Sequence, residues 1–225
     1  PAAGPFNRAR AVNIGCGLAR NDLLLWSDND LLYAPGLIQS AINELLTRKL
    51  DYLVPYAQIR YLNEHDSLAV LAGTQDPAHC VPLAVLGTGR GGAADGGVGL
   101  VRADFVRRYG ALCEQFQGWG GEDNAWTHKV NILGRAGAAK SAGLTVYHLF
   151  HPSTGGLGGD PWKRNPDHYG QNLELLESIR QQRTRDAFLK KYPPPAHHTC
   201  PWPQDKRLLI LQPTEPDTLA RHQQQ

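Results

Sequence analysis

The sequence predicts an α/β fold, a sheet with helices packed against it, and three observations point there. Short apolar runs such as Leu23-Leu24-Leu25-Trp26 and Tyr52-Leu53-Val54 read as strands buried on both faces. Between them, Leu37, Ile38, Ala41, Ile42, Leu45 and Leu46 recur at helical spacing behind Pro35. The first strand also stops abruptly in Ser27-Asp28-Asn29-Asp30. Polar residues at a strand's carboxyl end mark the edge where α/β sheets bind ligands.

Taken in order, Phe6 to Leu18 reads as a helix, and Asn21-Asp22 makes the turn into the first strand. The run Gly87 to Gly99 is glycine-rich and reads as a loop that lets a ligand approach the backbone. It is neither a P-loop, since no Gly-Lys-Ser/Thr follows, nor a dinucleotide fingerprint. From Leu100 to Tyr109 the order is mixed. Gly118-Trp119-Gly120-Gly121 then leads into a helix from Glu122 to Leu133, with Gly134 as its stop. Leu144 to Phe150 reads as a strand, Gly155 to Asp160 as a second glycine-rich loop, and Asp167 to Gln182 as a helix. Pro193 to Pro203 holds five prolines and must be irregular, a strap across the surface; Lys206 to Gln212 could add a late strand. The expected organisation is a catalytic domain over 1–192 and a proline-rich extension over 193–225.

With 225 residues, the chain has room for one domain or a domain with an appendage, at roughly 100–200 residues per domain. No apolar run approaches the ~18 residues that a membrane span needs. A net charge of +2 gives no electrostatic reason to expect a nucleic acid or an anionic membrane as partner. Cys16, Cys80, Cys113 and Cys200 are far apart, with no CxxC pair, so free thiols and a reducing compartment are expected. No charged-then-apolar leader opens the sequence. A bacterial cytoplasmic enzyme fits, though a luminal catalytic fragment would look the same. The absence of methionine suggests an excised piece.

Three groups carry chemistry. Asp28 and Asp30 close the strand, where one can ligate a divalent cation while the other works elsewhere; a solvated turn uses the same residues. His148 and His151 close another strand candidate, and two imidazoles with one carboxylate make a Mn²⁺ site with positions open for substrate oxygens. His197-His198 reads as ordinary polar surface. In Gly118-Trp119-Gly120-Gly121-Glu122-Asp123, the acids suit a helix N-terminus. Capping alone does not account for an indole amid three glycines. That indole is a platform for the C–H face of a sugar, with a carboxylate beside it to act as general base.

Four stretches in this order resemble the catalytic domain of the β4-galactosyltransferase family. They are Phe6-Asn7-Arg8-Ala9-Arg10 with Asn13-Ile14-Gly15, then Trp26 to Leu31, then Gly96-Gly97-Val98, then Gly118 to Asp123. The chondroitin-polymerase type and the polypeptide N-acetylgalactosaminyltransferases share parts of the pattern. The resemblance spans about residues 6–151. It implies a GT-A-type glycosyltransferase fold, a Rossmann-like mixed sheet flanked by helices, lacking here part of the N-terminal nucleotide-binding half. It also implies a UDP-sugar donor held through Mn²⁺ (or Mg²⁺), a carbohydrate or glycoconjugate acceptor, and inversion at the anomeric carbon.

By the same resemblance, Asp30, His148 and His151 ligate the metal, and Asp28 orients the site or holds donor hydroxyls. Asp123 is the base, and Glu122 binds sugar hydroxyls. Trp119 packs on sugar, with Gly97, Gly120 and Gly121 lining the donor and acceptor pocket, and Phe6 and Arg8 face the nucleotide. Three departures stand out. Only five residues precede Phe6, so much of the uridine pocket is missing or comes from elsewhere. His148 stands where animal members have methionine, which moves metal preference away from a soft-tolerant site. Ala94 stands where galactose-transferring members carry a bulky tyrosine, which favours N-acetylgalactosamine over galactose. A retaining N-acetylgalactosaminyltransferase, a non-catalytic sugar-binding module and a metal-dependent hydrolase are the competing readings. Asp123, where retaining relatives have asparagine, favours inversion. The glycine-rich loops 87–92 and 155–159 are candidate lids over a bound donor.

Overall fold

A computed structural model describes residues 7–87, 96–139, 144–152, 163, 165–194 and 209–211. Phe6, Ala94, the glycine-rich stretches 88–95 and 155–160, the His197-His198 pair and Cys200 lie outside the described residues. Among those described the architecture is mixed α/β: two mixed sheets flanked by helices.

The first helix, α1 (Arg8–Leu18), starts where Asn7 caps it, accepting a hydrogen bond from the Arg10 amide at 2.8 Å. Asn7 also donates to the carbonyls of Glu114 and Phe116. One turn on, Asn13 exchanges hydrogen bonds with the backbone of Leu112, both at 2.9 Å. Two asparagines thus dock α1 on the segment ahead of the Trp119 turn.

Next come β1 (Leu23–Ser27), β2 (Leu31–Tyr33), α2 (Leu37–Thr47), β3 (Tyr52–Val54), β4 (Gln58–Tyr61) and α3 (Glu64–Leu71). They are followed by β5 (Ala84–Gly87), β6 (Val98–Arg102), α4 (Ala103–Tyr109), α5 (Glu122–Leu133), β7 (Ala136–Ala138) and β8 (Thr145–His148). The described chain closes with α6 (Tyr169–Arg180), α7 (Arg185–Lys191) and β9 (Leu209–Leu211). The larger sheet has the order β7-β3-β6-β1-β9. In it β6 runs antiparallel to both β1 and β3, while β9 and β7 lie parallel to β1 and β3. The smaller sheet has the order β2-β8-β4-β5, with β8 antiparallel to β2 and parallel to β4. The chain passes from one sheet to the other between β1 and β2, through Asp28-Asn29-Asp30.

The mixed stretch after the glycine run resolves into β6 and α4. Gly99 lies in β6 rather than in a loop, because an aromatic cluster sits over it. Trp26 stacks on Tyr52 (centroids 5.8 Å apart, 16° between planes), and Trp126 of α5 meets both edge-on. A Cβ at Gly99 would stand 2.5 Å from Trp26 Cζ2 and 2.8 Å from Tyr52 Cε2, closer than atoms can approach. The late strand, described over Leu209–Leu211, joins the larger sheet beside β1. Cys16, Cys80 and Cys113 are free thiols. Among the described residues no helix is long and apolar enough to cross a membrane.

Substituting Gly99→Ala should overpack this cluster and lower unfolding free energy by ~1–3 kcal/mol. Urea denaturation of the variant against the parent measures it.

Candidate functional site

The site lies at the seam between the two sheets, where β1 ends and β2 begins. The Asp28 amide donates to the Gly97 carbonyl at 2.8 Å, and the Leu149 amide donates to the Asp30 carbonyl at 2.8 Å. The turn is thus pinned by its backbone on both sides, and its two carboxylates meet different partners.

Asp30 meets the histidines. Its Oδ2 lies 3.1 Å from His151 Nε2 and 3.8 Å from His148 Nε2. One ligand atom from each of the three residues falls within 4.8 Å of the others, so the cluster can hold a metal ion. His148 sits at the end of β8, opposite Leu31 in β2 and Tyr61 in β4. Tyr61 stacks on its ring at 4.7 Å between centroids. His148 Nδ1 donates to the Leu149 carbonyl at 2.7 Å, since a carbonyl only accepts. With Nδ1 engaged there, Nε2 is the ring atom that faces Asp30.

Asp30 Oδ1 supplies a fit test for a cation. It is buried and has no hydrogen-bond partner among the described residues. A divalent ion accepted by the carboxylate would remove that deficit. Burial alone would push the Asp30 carboxyl up, but the His151 hydrogen bond and the charges of His148 and His151 outweigh it and hold it below the usual range. The donor set, one carboxylate and two imidazoles, fits a divalent transition metal.

Asp28 meets Arg8. The guanidinium donates from Nε to Asp28 Oδ1 at 3.0 Å, from Nη1 to Asp123 Oδ1 at 2.7 Å and from Nη2 to the Gly96 carbonyl at 2.7 Å. Glu122 Oε1 stands 3.9 Å from Nη1. Arg8 is the first residue of α1, where the helix dipole disfavours a cation. Three carboxylates more than offset that. Burial by itself would lower the guanidinium, yet Asp123, Asp28 and Glu122 raise it further above its ordinary value.

Glu122 and Asp123 open α5, behind Gly120 (φ 109°) and Gly121 (φ 100°), left-handed positions that suit glycine. Glu122 is 5% exposed and accepts from the Gly120 amide at 3.2 Å. Burial, then the Asp123 charge, push its carboxyl above the ordinary range, against the pull of Arg8. Burial likewise pushes Asp28 up, with Asp123 and Asp30 adding to it and Arg8 opposing. A side chain at Gly96 would collide with the Asp123 carboxylate, and one at Gly97 would come within 2.8 Å of Leu31 Cδ1.

The structure therefore gathers Asp28, Asp30, Glu122, Asp123, Gly97, His148 and His151 around the seam. Arg8, expected to face the nucleotide, lies on Asp28 and Asp123. Trp119 stands on the turn ahead of the acids, 40% exposed, with its ring stacked on Tyr169 of α6 at 6.1 Å and 22°. Sequence reasoning missed Tyr61, Tyr169, Asn165 and Asn172. Tyr61 carried no readable signal. The other three recur at helical spacing, 165, 169 and 172, which could have marked one face turned inward.

No protein family and no curated protein sequence matches the chain. Among solved structures, a mutant Drosophila β-1,4-galactosyltransferase 7 in complex with manganese, UDP-Gal and xylobiose is similar, with 18% identity and a TM-score of 0.43. The match covers 68% of this chain and 55% of that one, so the chain spans little more than half of that protein's length.

Glu122 keeps its proton to higher pH when folded than when unfolded. Its contribution to stability therefore declines as pH rises above the ordinary glutamate value of 4.5. Glu122→Gln cannot lose a proton, so its unfolding free energy should fall less steeply than the parent's from pH 4.5 upward. Urea titrations across that range read the difference in slope.

Proposed function

We propose that this chain carries the metal and base elements of an inverting glycosyltransferase that moves a sugar from a UDP-sugar to a carbohydrate hydroxyl. The observation that carries the reading is the Arg8 guanidinium bridging Asp28, next door to the Asp30–His148–His151 cluster, to Asp123 at the start of α5. A cation-holding cluster and a candidate base thereby belong to one site. The motif resemblance supplies the donor class.

Asp30, His148 and His151 hold the divalent ion, Mn²⁺ by preference. When bound it supplies positive charge that stabilises the leaving diphosphate. Asp123 takes the proton from the acceptor hydroxyl as that oxygen bonds to the anomeric carbon and the bond to the diphosphate breaks, releasing UDP. One base and one in-line hydroxyl invert the centre. Arg8 hydrogen-bonds Asp123 Oδ1, which fixes the carboxylate's orientation. Glu122, held by the Gly120 amide, holds sugar hydroxyls. Trp119 offers its indole to the acceptor's C–H face. The transferred sugar is galactose or N-acetylgalactosamine. Residues 1–192 form the catalytic unit, and the 193–225 extension contributes β9 beside β1.

Isothermal titration of UDP with Mn²⁺, and again with chelator, tests the site. Binding should require the metal and vanish in Asp30→Ala. Asp123→Asn should keep that binding and lose ~10²–10⁴-fold in transfer rate. Metal-independent UDP binding, or full transfer by Asp123→Asn, would overturn the reading. Binding of UDP without turnover in the parent chain would leave a sugar-binding module instead.

A further inference from the structure

We propose that Asn165, Tyr169 and Asn172 are positioning residues that hold the Trp119 turn in the shape a saccharide needs, so that α6 is a working wall of the site. The proposal rests on the transferase reading for what the turn binds, but its geometry stands apart from it.

The turn has little to hold itself. Gly118, Gly120 and Gly121 all have positive φ, at 63°, 109° and 100°. Glycine backbone loses more freedom on ordering than any other, so a fixed shape here needs outside restraint. Asn172 is 2% exposed and makes three bonds to the turn. It accepts from the Gln117 amide at 3.1 Å and donates to the carbonyls of Gln117 at 2.9 Å and Trp119 at 3.4 Å. Asn165, also buried, donates to the same two carbonyls, both at 2.8 Å. Both carbonyls are thereby fixed twice over, either side of Gly118. There is no slack around that glycine, since a Cβ on it would stand 2.8 Å from Asn165 Oδ1.

Tyr169 does the rest. Its ring stacks on Trp119 and lies against Gly120, where an added Cβ would be 3.0 Å away. The Tyr169 amide donates to the Asn165 carbonyl at 3.0 Å, which ties Asn165, in the turn ahead of α6, to the start of that helix. Side chain and backbone of Trp119 are therefore held from a single surface. The next amide along, that of Gly120, donates to Glu122 Oε2, so the same clamp sets the acid pair. None of the three residues carries a charge or meets the metal cluster, and their effect passes through the turn.

The test uses the full chain labelled with 5-fluorotryptophan, Trp119→Phe identifying the Trp119 fluorine line. Tyr169→Ala, Asn165→Ala and Asn172→Ala should shift or broaden that line, whereas Tyr169→Phe, which keeps the ring, should not. With UDP-Gal and Mn²⁺, and xylobiose as acceptor probe, Tyr169→Ala should raise the acceptor KM at least ~10-fold while kcat changes by no more than ~3-fold. Tyr169→Phe should restore the parent KM. Should Asn172→Ala fail to fold, Asn165→Ala and Tyr169→Ala carry the test. An unmoved Trp119 line in the alanine variants overturns the proposal, as does a Tyr169→Phe variant as impaired as Tyr169→Ala. Should the parent release no UDP, the transferase reading falls, and the fluorine line alone decides the clamp.

Discussion

The guanidinium of Arg8 sits against three carboxylates and one backbone carbonyl, and the site takes its shape from that contact. Asp28, Glu122 and Asp123 belong to two different elements of the chain. Without a cation between them they would repel across a poorly solvated space. The arginine also directs bonds from Nε, Nη1 and Nη2 in a fixed fork. A lysine would bring the same charge but could not span Asp28, Asp123 and the Gly96 carbonyl with defined geometry. Charge neutralisation and geometric registration are one interaction here.

Around that contact the seam divides its labour. The metal-capable cluster belongs to the smaller sheet, through β8 and the start of β2. The acid pair belongs to α5, whose Trp126 is part of the aromatic cluster under the larger sheet. The turn from Asp28 to Asp30 faces both parts, Asp30 through His151 and Asp28 through Arg8. On extended backbone Asp28 and Asp30 would share a face; the turn through Asn29 lets Asp28 meet Arg8 while Asp30 meets His151. Gly96 and Gly97 stay bare because a Cβ would collide with Asp123 or Leu31.

Much of this was legible in the sequence where composition and position agreed. The Leu23–Trp26 run, its acidic ending, the α2 periodicity and the glycine-framed start of α5 all carry local signals. The structure has them at the expected places. β6 was hidden because Gly96, Gly97 and Gly99 read as loop. Gly99 is in fact a strand residue made small by the rings of Trp26 and Tyr52, a tertiary demand that no window reveals. β4, β5 and α3 were missed for the opposite reason: much of their apolar surface is exposed, so periodicity is weak. Arg8 was noticed by resemblance, but its partners lie 20 and 115 residues away, and only the fold brings them together. Asn165 and Asn172 went unnoticed: their partners are backbone atoms, so only their spacing with Tyr169 hinted at them.

Those separations bear on how the chain becomes structured. Asn13 is joined to residue 112, and Arg8 to residue 123. Ordering loops of that length precedes any energetic return, which slows formation of such contacts. A chain emerging from its N-terminus therefore makes α1 early and docks it late. Until residues 112–123 have been made, Arg8 lacks Asp123 and Glu122, and Asn13 lacks its backbone partner at Leu112. The helix that carries Arg8 is thus among the last of these elements to find its place, and the seam closes only when it does.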